Sequence, residues 1–228
     1  MDLKDFWFLD AAAEFMLPMD WPCAPNVGEI LSRKSHGLSG DEVARRMRRL
    51  LDSGLISIFA RESGEPLSPP SDGELAAMLN PPPDKVARPH YFAGFAYGLT
   101  PTGGLEWEKI AEPDWSRFHG IAYGIDPDEC VMEAAGEARL FEAISHTGLG
   151  RERFRWDPRE IEFTLLEPWR PVYWKELPRG WRAEYPLIRL GGEDRPCEPE
   201  RQMALDRYWE FARWKSRPGD PADRAARK

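Results

Sequence analysis

Residues 39–59, SGDEVARRMRRLLDSGLISIF, constrain the fold more than any other stretch, because they specify a helix, both of its ends and the strand that follows. Ser39 and Glu42 stand three residues apart, the spacing at which each side chain satisfies an orphan backbone donor at a helix start. Val43, Met47, Leu50 and Leu51 recur at i, i+4, i+7 and i+8, which makes one apolar stripe at helical period. Gly54 stands where the left-handed residue that ends a helix is wanted. The run 55–59 is short, apolar and strand-like. Arg45 and Arg49 fall opposite the stripe, with Arg46 and Arg48 flanking them. The expectation is a helix with a buried aliphatic face and an exposed basic one, leading directly into a strand.

The flanking chain supplies the elements this unit needs. Phe6, Leu9, Ala13 and Met16 lie near helical spacing with Pro18 as a stop, which predicts a first helix over 5–17. Asn26 is an N-cap for a second helix over 27–35, with Val27, Ile30 and Leu31 inward, and His36, Gly37 and Leu38 turn the chain into the arginine helix. After residue 59 a connection rich in Pro and Ser runs over 60–90, with a short helix near 72–80 around Leu75, Met78 and Leu79. A connection of that length is expected to be mobile. A return strand follows over 91–99, then a helix opened by Thr100 as N-cap and Pro101 at its first position. Helix, helix, short turn, helix, strand, loop and strand in this order resembles the winged helix-turn-helix domain of bacterial transcriptional regulators. The run YGLTPTGGLEWE looks like the strand-to-helix junction that closes many of them. The resemblance covers roughly residues 5–113. It implies a winged-helix domain over 1–113 with an extended wing at 60–90. It also implies DNA binding through Arg45, Arg46, Arg48 and Arg49, which could grip phosphates or a guanine edge.

The second half resembles no family by its residues. FAGFAYGLTP (92–101) and FHGIAYGIDP (118–127) agree at six positions. Both read as a strand running into a helix start, more simply by convergence on the same junction chemistry than by duplication. A helix over 128–147 is predicted from Val131, Ala134, Ala135, Ala138, Phe141 and Ile144, with Gly148 as its stop. Strands are expected over 160–166, 171–175 and 185–190, and a last helix over 199–215. The whole is α+β: an N-terminal winged helix, a small mixed α+β domain over 114–215 and a disordered tail over 216–228.

Charge cuts against DNA. The chain carries a formal net charge of −8, and residues 1–113 hold 11 Lys and Arg against 17 Asp and Glu. Phosphate neutralisation supplies most non-specific DNA affinity, so an acidic domain binds DNA only through a local basic field. The alternative for the four arginines is a solvated helix face partly neutralised by Asp41, Glu42 and Asp52. Five tryptophans (Trp156, Trp169, Trp174, Trp181, Trp214) stand beside Arg or Lys. Among so many glutamates this pattern suits a core or a protein interface better than a nucleic-acid platform. Cys23, Cys130 and Cys197 show no ligand or disulfide spacing, and His36, His90, His119 and His146 show no metal motif. A Cys130/His119 nucleophile pair is conceivable but lacks a visible oxyanion donor or orienting group. No enzyme activity, cofactor or metal is expected, no membrane span, and a cytoplasmic location. Two functions remain open. One is a DNA-binding regulator whose C-terminal domain senses a ligand or forms a homodimer. The other is an acidic protein-interaction protein, of adaptor or toxin-neutralising (immunity) type, that uses the winged helix as a scaffold.

Overall fold

The computed structural model describes residues 1–31, 33–80, 94–123, 129–150, 154–155, 157–186, 188–189, 203 and 211–215. The chain is α+β and divides into two compact units. One is Met1–Ala111 with Val172–Trp174; the other is Glu112–Pro171 with Lys175–Arg217.

The first unit runs α1 (Leu3–Ala11), β1 (Leu17–Pro18), α2 (Val27–Ile30), α3 (Gly40–Asp52), β2 (Ile56–Ala60), α4 (Asp72–Leu79), β3 (Phe95–Leu99) and α5 (Pro101–Ala111). The helix α3 forms for the reasons its residues give. Both halves of the Ser39/Glu42 capping box are made, and Val43, Met47, Leu50 and Leu51 are its buried residues. Gly54 closes it at φ 66°, a conformation a side chain would strain. β2 pairs antiparallel with β3, Ile56 opposite Leu99 and Ala60 opposite Phe95. β1 joins the far side of β3 with Leu17 opposite Tyr97, so the order is β1-β3-β2.

Two expectations are corrected here. The first helix ends at Ala11, not residue 17, because buried Leu17 belongs to the sheet. Its end is finished from far along the chain: Tyr173 Oη donates to Ala12 O at 2.7 Å and Trp174 Nε1 to Ala13 O at 2.8 Å, satisfying carbonyls a helix end leaves open. The second helix is one turn, Val27–Ile30, with no side-chain cap. Arg33 is drawn away to Asp10, a carboxylate 6% exposed that also accepts from Trp107 Nε1 at 3.0 Å. Asp10 thereby pins α1, the segment after α2 and α5 together. Beyond β2, the described part of the long connection, residues 60–80, is hydrogen-bonded and partly buried. The chain turns at Gly64 and returns along β2, with Ala60 N donating to Glu65 O and Leu67 N to Ile58 O. α4, with its own Ser71/Glu74 capping box, then buries Leu75 and Leu79. Residues 81–90 lie outside the described residues.

The second unit contains β4 (His119–Tyr123), β5 (Glu129–Ala134), α6 (Glu137–Gly150), β6 (Phe154–Arg155), β7 (Glu162–Leu166), β8 (Trp169–Val172), β9 (Lys175–Leu177), β10 (Gly180–Pro186) and β11 (Ile188–Arg189). Its main sheet is antiparallel in the order β4-β5-β10-β7. One face carries the core, where Cys130, Met132, Ala134, Ala183 and Tyr185 meet Leu140, Ala143 and Ile144 of α6. The helix expected over 128–147 is thus a strand followed by a helix. Cys130, Met132 and Ala134 alternate inward opposite β10, and that period of two prevails over the helical spacing of Val131, Ala134 and Ala135. The second FAYG-like copy consequently leads into β5 and not into a helix. The strand expected over 171–175 is replaced by β8 and β9, and that over 185–190 by the earlier β10 and short β11. Of the helix expected over 199–215 only Met203 and residues 211–215 are described, and the tail 216–228 lies outside the described residues. No described helix is long and apolar enough to cross a membrane.

Candidate functional site

The arginine face of α3 is assembled as the period demands, with Arg45 and Arg49 exposed opposite the buried stripe and Arg46 and Arg48 at its flanks. What the helix does with the four charges is set by carboxylates elsewhere in the first unit. Arg46 Nη1 reaches Asp2 Oδ2 at 2.8 Å and Asp5 Oδ1 at 2.7 Å. Arg49 Nη2 closes on the same Asp5, at 2.6 Å from Oδ2. Arg48 Nε bonds Asp72 Oδ1 at 2.8 Å, its Nη2 bonds Pro70 O at 2.6 Å, and its Nη1 approaches Asp52 at 3.7 Å. Arg45 makes one long bond, from Nε to its own helix at Asp41 O, 3.4 Å.

These pairs differ in weight. Asp5 is 6% exposed, and a buried carboxylate stripped of its partners costs about 3–5 kcal/mol. The Arg46 guanidinium holds the Asp2 carboxyl below its usual range, and Asp2 in turn pushes Arg46 up. At the start of α3, backbone and hydroxyl donors of Ser39 hold Glu42 below the ordinary carboxylate value. The positive face is therefore ringed by carboxyl groups. Helical spacing points only to Asp41, Glu42 and Asp52 as neighbours. The partners that matter most, Asp2, Asp5 and Asp72, stand 24 to 44 residues away from the arginines they meet.

The turn before α3 is held by His36. Its Nδ1 accepts from Leu38 N at 2.9 Å and its Nε2 lies 2.8 Å from Pro22 O, so the proton sits on Nε2. The ring packs edge-on to Trp7 and stacked on Phe8. Both nitrogens are spent on the backbone, which makes His36 a structural pin.

The remaining candidates separate. His119 stands opposite Ala134 and Cys130 opposite Tyr123, four residues apart along the sheet and so roughly 13 Å. They cannot act as a nucleophile and its base. Burial also pushes the Cys130 thiol up, away from the thiolate. His90 and Trp156 lie outside the described residues. Trp169, Trp174 and Trp214 are buried, and Trp181 packs against the sheet core. Trp169 Nε1 donates to Glu133 at 3.0 Å, while Trp115, Phe118 and Trp214 form one aromatic cluster in the second unit. Among the described residues no group of three or more His, Cys, Asp or Glu could hold a metal ion. Compared with known proteins, the chain matches no family model, no curated protein and no solved structure. Function is therefore argued from the sites themselves.

Proposed function

We propose that this chain works by binding another protein, with its first unit serving as a scaffold of winged-helix type and not as a DNA reader. The observation that carries this is the pairing of Arg46, Arg48 and Arg49 with Asp2, Asp5 and Asp72. A phosphate taking Arg46 and Arg49 would orphan a buried carboxylate, at a cost larger than the contact returns. The net charge of −8 leaves little background attraction to offset that loss. The regulator reading keeps two supports of its own. An antiparallel pair, β2 with β3, follows α3 as the resemblance implies, and Arg45 and Arg49 face solvent.

Titration of labelled duplex DNA across a range of salt separates the two. The expected outcome is no binding above background even at low salt. Binding with a steep salt dependence, flattened by roughly one unit of log slope per lost phosphate contact in Arg45→Ala/Arg49→Ala, reinstates the regulator. The variant retains its fold for this test, because Arg46 still satisfies Asp5.

A further inference from the structure

Among the described residues the second unit presents an open sheet edge. β7 lies at the end of the order β4-β5-β10-β7 and pairs on one side with β10, from Glu162 opposite Glu184 to Leu166 opposite Gly180. Among the described residues nothing pairs its other side. Natural sheets defend such edges with lysine, proline, bulges or a covering segment, because unpaired N–H and C=O groups template another strand. Within Glu162–Leu166 there is no lysine and no proline.

The two faces of this edge differ in chemistry. Phe163 and Leu165 project on the α6 side, where the Phe163 ring lies 4.9 Å from that of Phe141. Phe141 and Leu165 remain 40% and 45% exposed, an apolar strip with no cover among the described residues. On the opposite face Glu162 and Thr164 are exposed. Where β7 begins, a depression of about 220 Å³ is lined by Glu129, Glu160, Glu162 and Glu184. Glu184 leans towards Arg182 at 3.6 Å. Among the described residues Glu129, Glu160 and Glu162 form no ion pair.

We infer that β7 receives an extended segment of a partner protein that alternates apolar residues with Lys or Arg, adding a fifth strand to the sheet. Main-chain bonds would supply the register-independent affinity of strand addition, and alternate side chains the selectivity. The apolar residues of the guest cover Phe141, Phe163 and Leu165, and its cations meet Glu160 and Glu162 at the β7 end of the depression. Charge argues against the obvious rival. A second copy of this acidic chain would bring its own carboxylates to an edge already rimmed by Glu160, Glu162 and Glu167.

This inference rests on the protein-binding reading, since it names the partner's chemistry. The full chain is titrated into a labelled peptide of alternating Lys and Val, and into a peptide of the same composition arranged in two blocks. The alternating peptide should bind more tightly by about tenfold, weaken with salt, and raise amide exchange protection along β7. Leu165→Lys, an exposed change that leaves the core untouched, should reduce binding about tenfold, and Glu160→Gln/Glu162→Gln should remove most of the salt dependence. Equal binding of the two peptides, no binding at low salt, or binding indifferent to Leu165→Lys overturns the inference. Sedimentation as a dimer that Leu165→Lys returns to monomer also overturns it, assigning the edge to a second copy. Peptide failure without DNA binding leaves the protein-binding reading in place on another surface, whereas DNA binding removes that reading itself.

Discussion

Asp5 carries two arginines on one nearly buried carboxylate, and that arrangement has a measurable signature. Its Oδ1 accepts from Arg46 and its Oδ2 from Arg49, so removing either arginine leaves the other in place. Arg49 is more than half exposed and the Asp2 partner of Arg46 is exposed as well, and pairs of that kind contribute about 0–1 kcal/mol. Arg46→Ala and Arg49→Ala should each therefore lower unfolding stability by about 1 kcal/mol or less. The double variant strands Asp5 inside the protein and should lose about 3 kcal/mol or more, well beyond the sum. Denaturant titration of the three variants reads this directly. Simple additivity would mean that Asp5 is solvated and that the arginines are free for a ligand, which would weaken the case against DNA.

At the scale of elements, legibility followed the distance over which each signal acts. α3, Gly54 and β2 were readable because capping box, period and stop all lie within one 21-residue window. α4 was readable from Leu75 and Leu79, which it buries, and from its Ser71/Glu74 capping box. β5 was misread because Val131, Ala134 and Ala135 satisfy helical spacing while Cys130, Met132 and Ala134 satisfy alternation. Only pairing with β10, some fifty residues on, decides between them. The same limit hid the candidate site. Exposure of Arg45 and Arg49 follows from helical period, but no local spacing announces Asp2, Asp5 or Asp72. Nor does any sequence signal foretell that Val172–Trp174 belongs with the first unit. The junction of β2 with α5 supplies a test at this scale. Thr100 caps α5 by accepting from Gly103 N and donates to Gly54 O, which brings α5 against the start of β2. A Cβ on Gly103 would stand 1.8 Å from the Leu55 carbonyl oxygen, whereas one on Gly73 in α4 meets open space. Gly103→Ala should cost about 1–3 kcal/mol or more by forcing backbone apart, and Gly73→Ala should stabilise by about 0.4–1 kcal/mol. Thermal melts that fall for the first and rise for the second would support the described packing; equal effects would not.

Across the whole molecule, acid should act on the two units unequally. In the first unit Arg46 holds Asp2 below its ordinary 3.8, and Ser39 and Ser71 hold Glu42 and Glu74 below their ordinary 4.5. A carboxylate depressed by folding binds its proton less readily in the native state than in the unfolded one. Its stabilisation is complete above the ordinary value and is lost as pH falls from there through the depressed one. The three groups sit at the N-termini of α1, α3 and α4, so their protonation removes caps from three helices at once. Among its described residues the second unit holds one depressed carboxyl, Asp157, brought to about 2 by Arg159 two residues on. That pair caps only the single 3-10 turn Pro158–Glu160, so its loss unseats no α-helix. Pulsed hydrogen exchange read fragment by fragment, on the full chain taken stepwise from neutral pH to below 4, should show the first unit losing protection before the second. Loss in the reverse order would place the acid-sensitive groups elsewhere, and simultaneous loss would mean that the units unfold as one cooperative body. Early loss confined to α1, α3 and α4 would identify the carboxylates of the capping boxes and of the arginine network as what holds the first unit together.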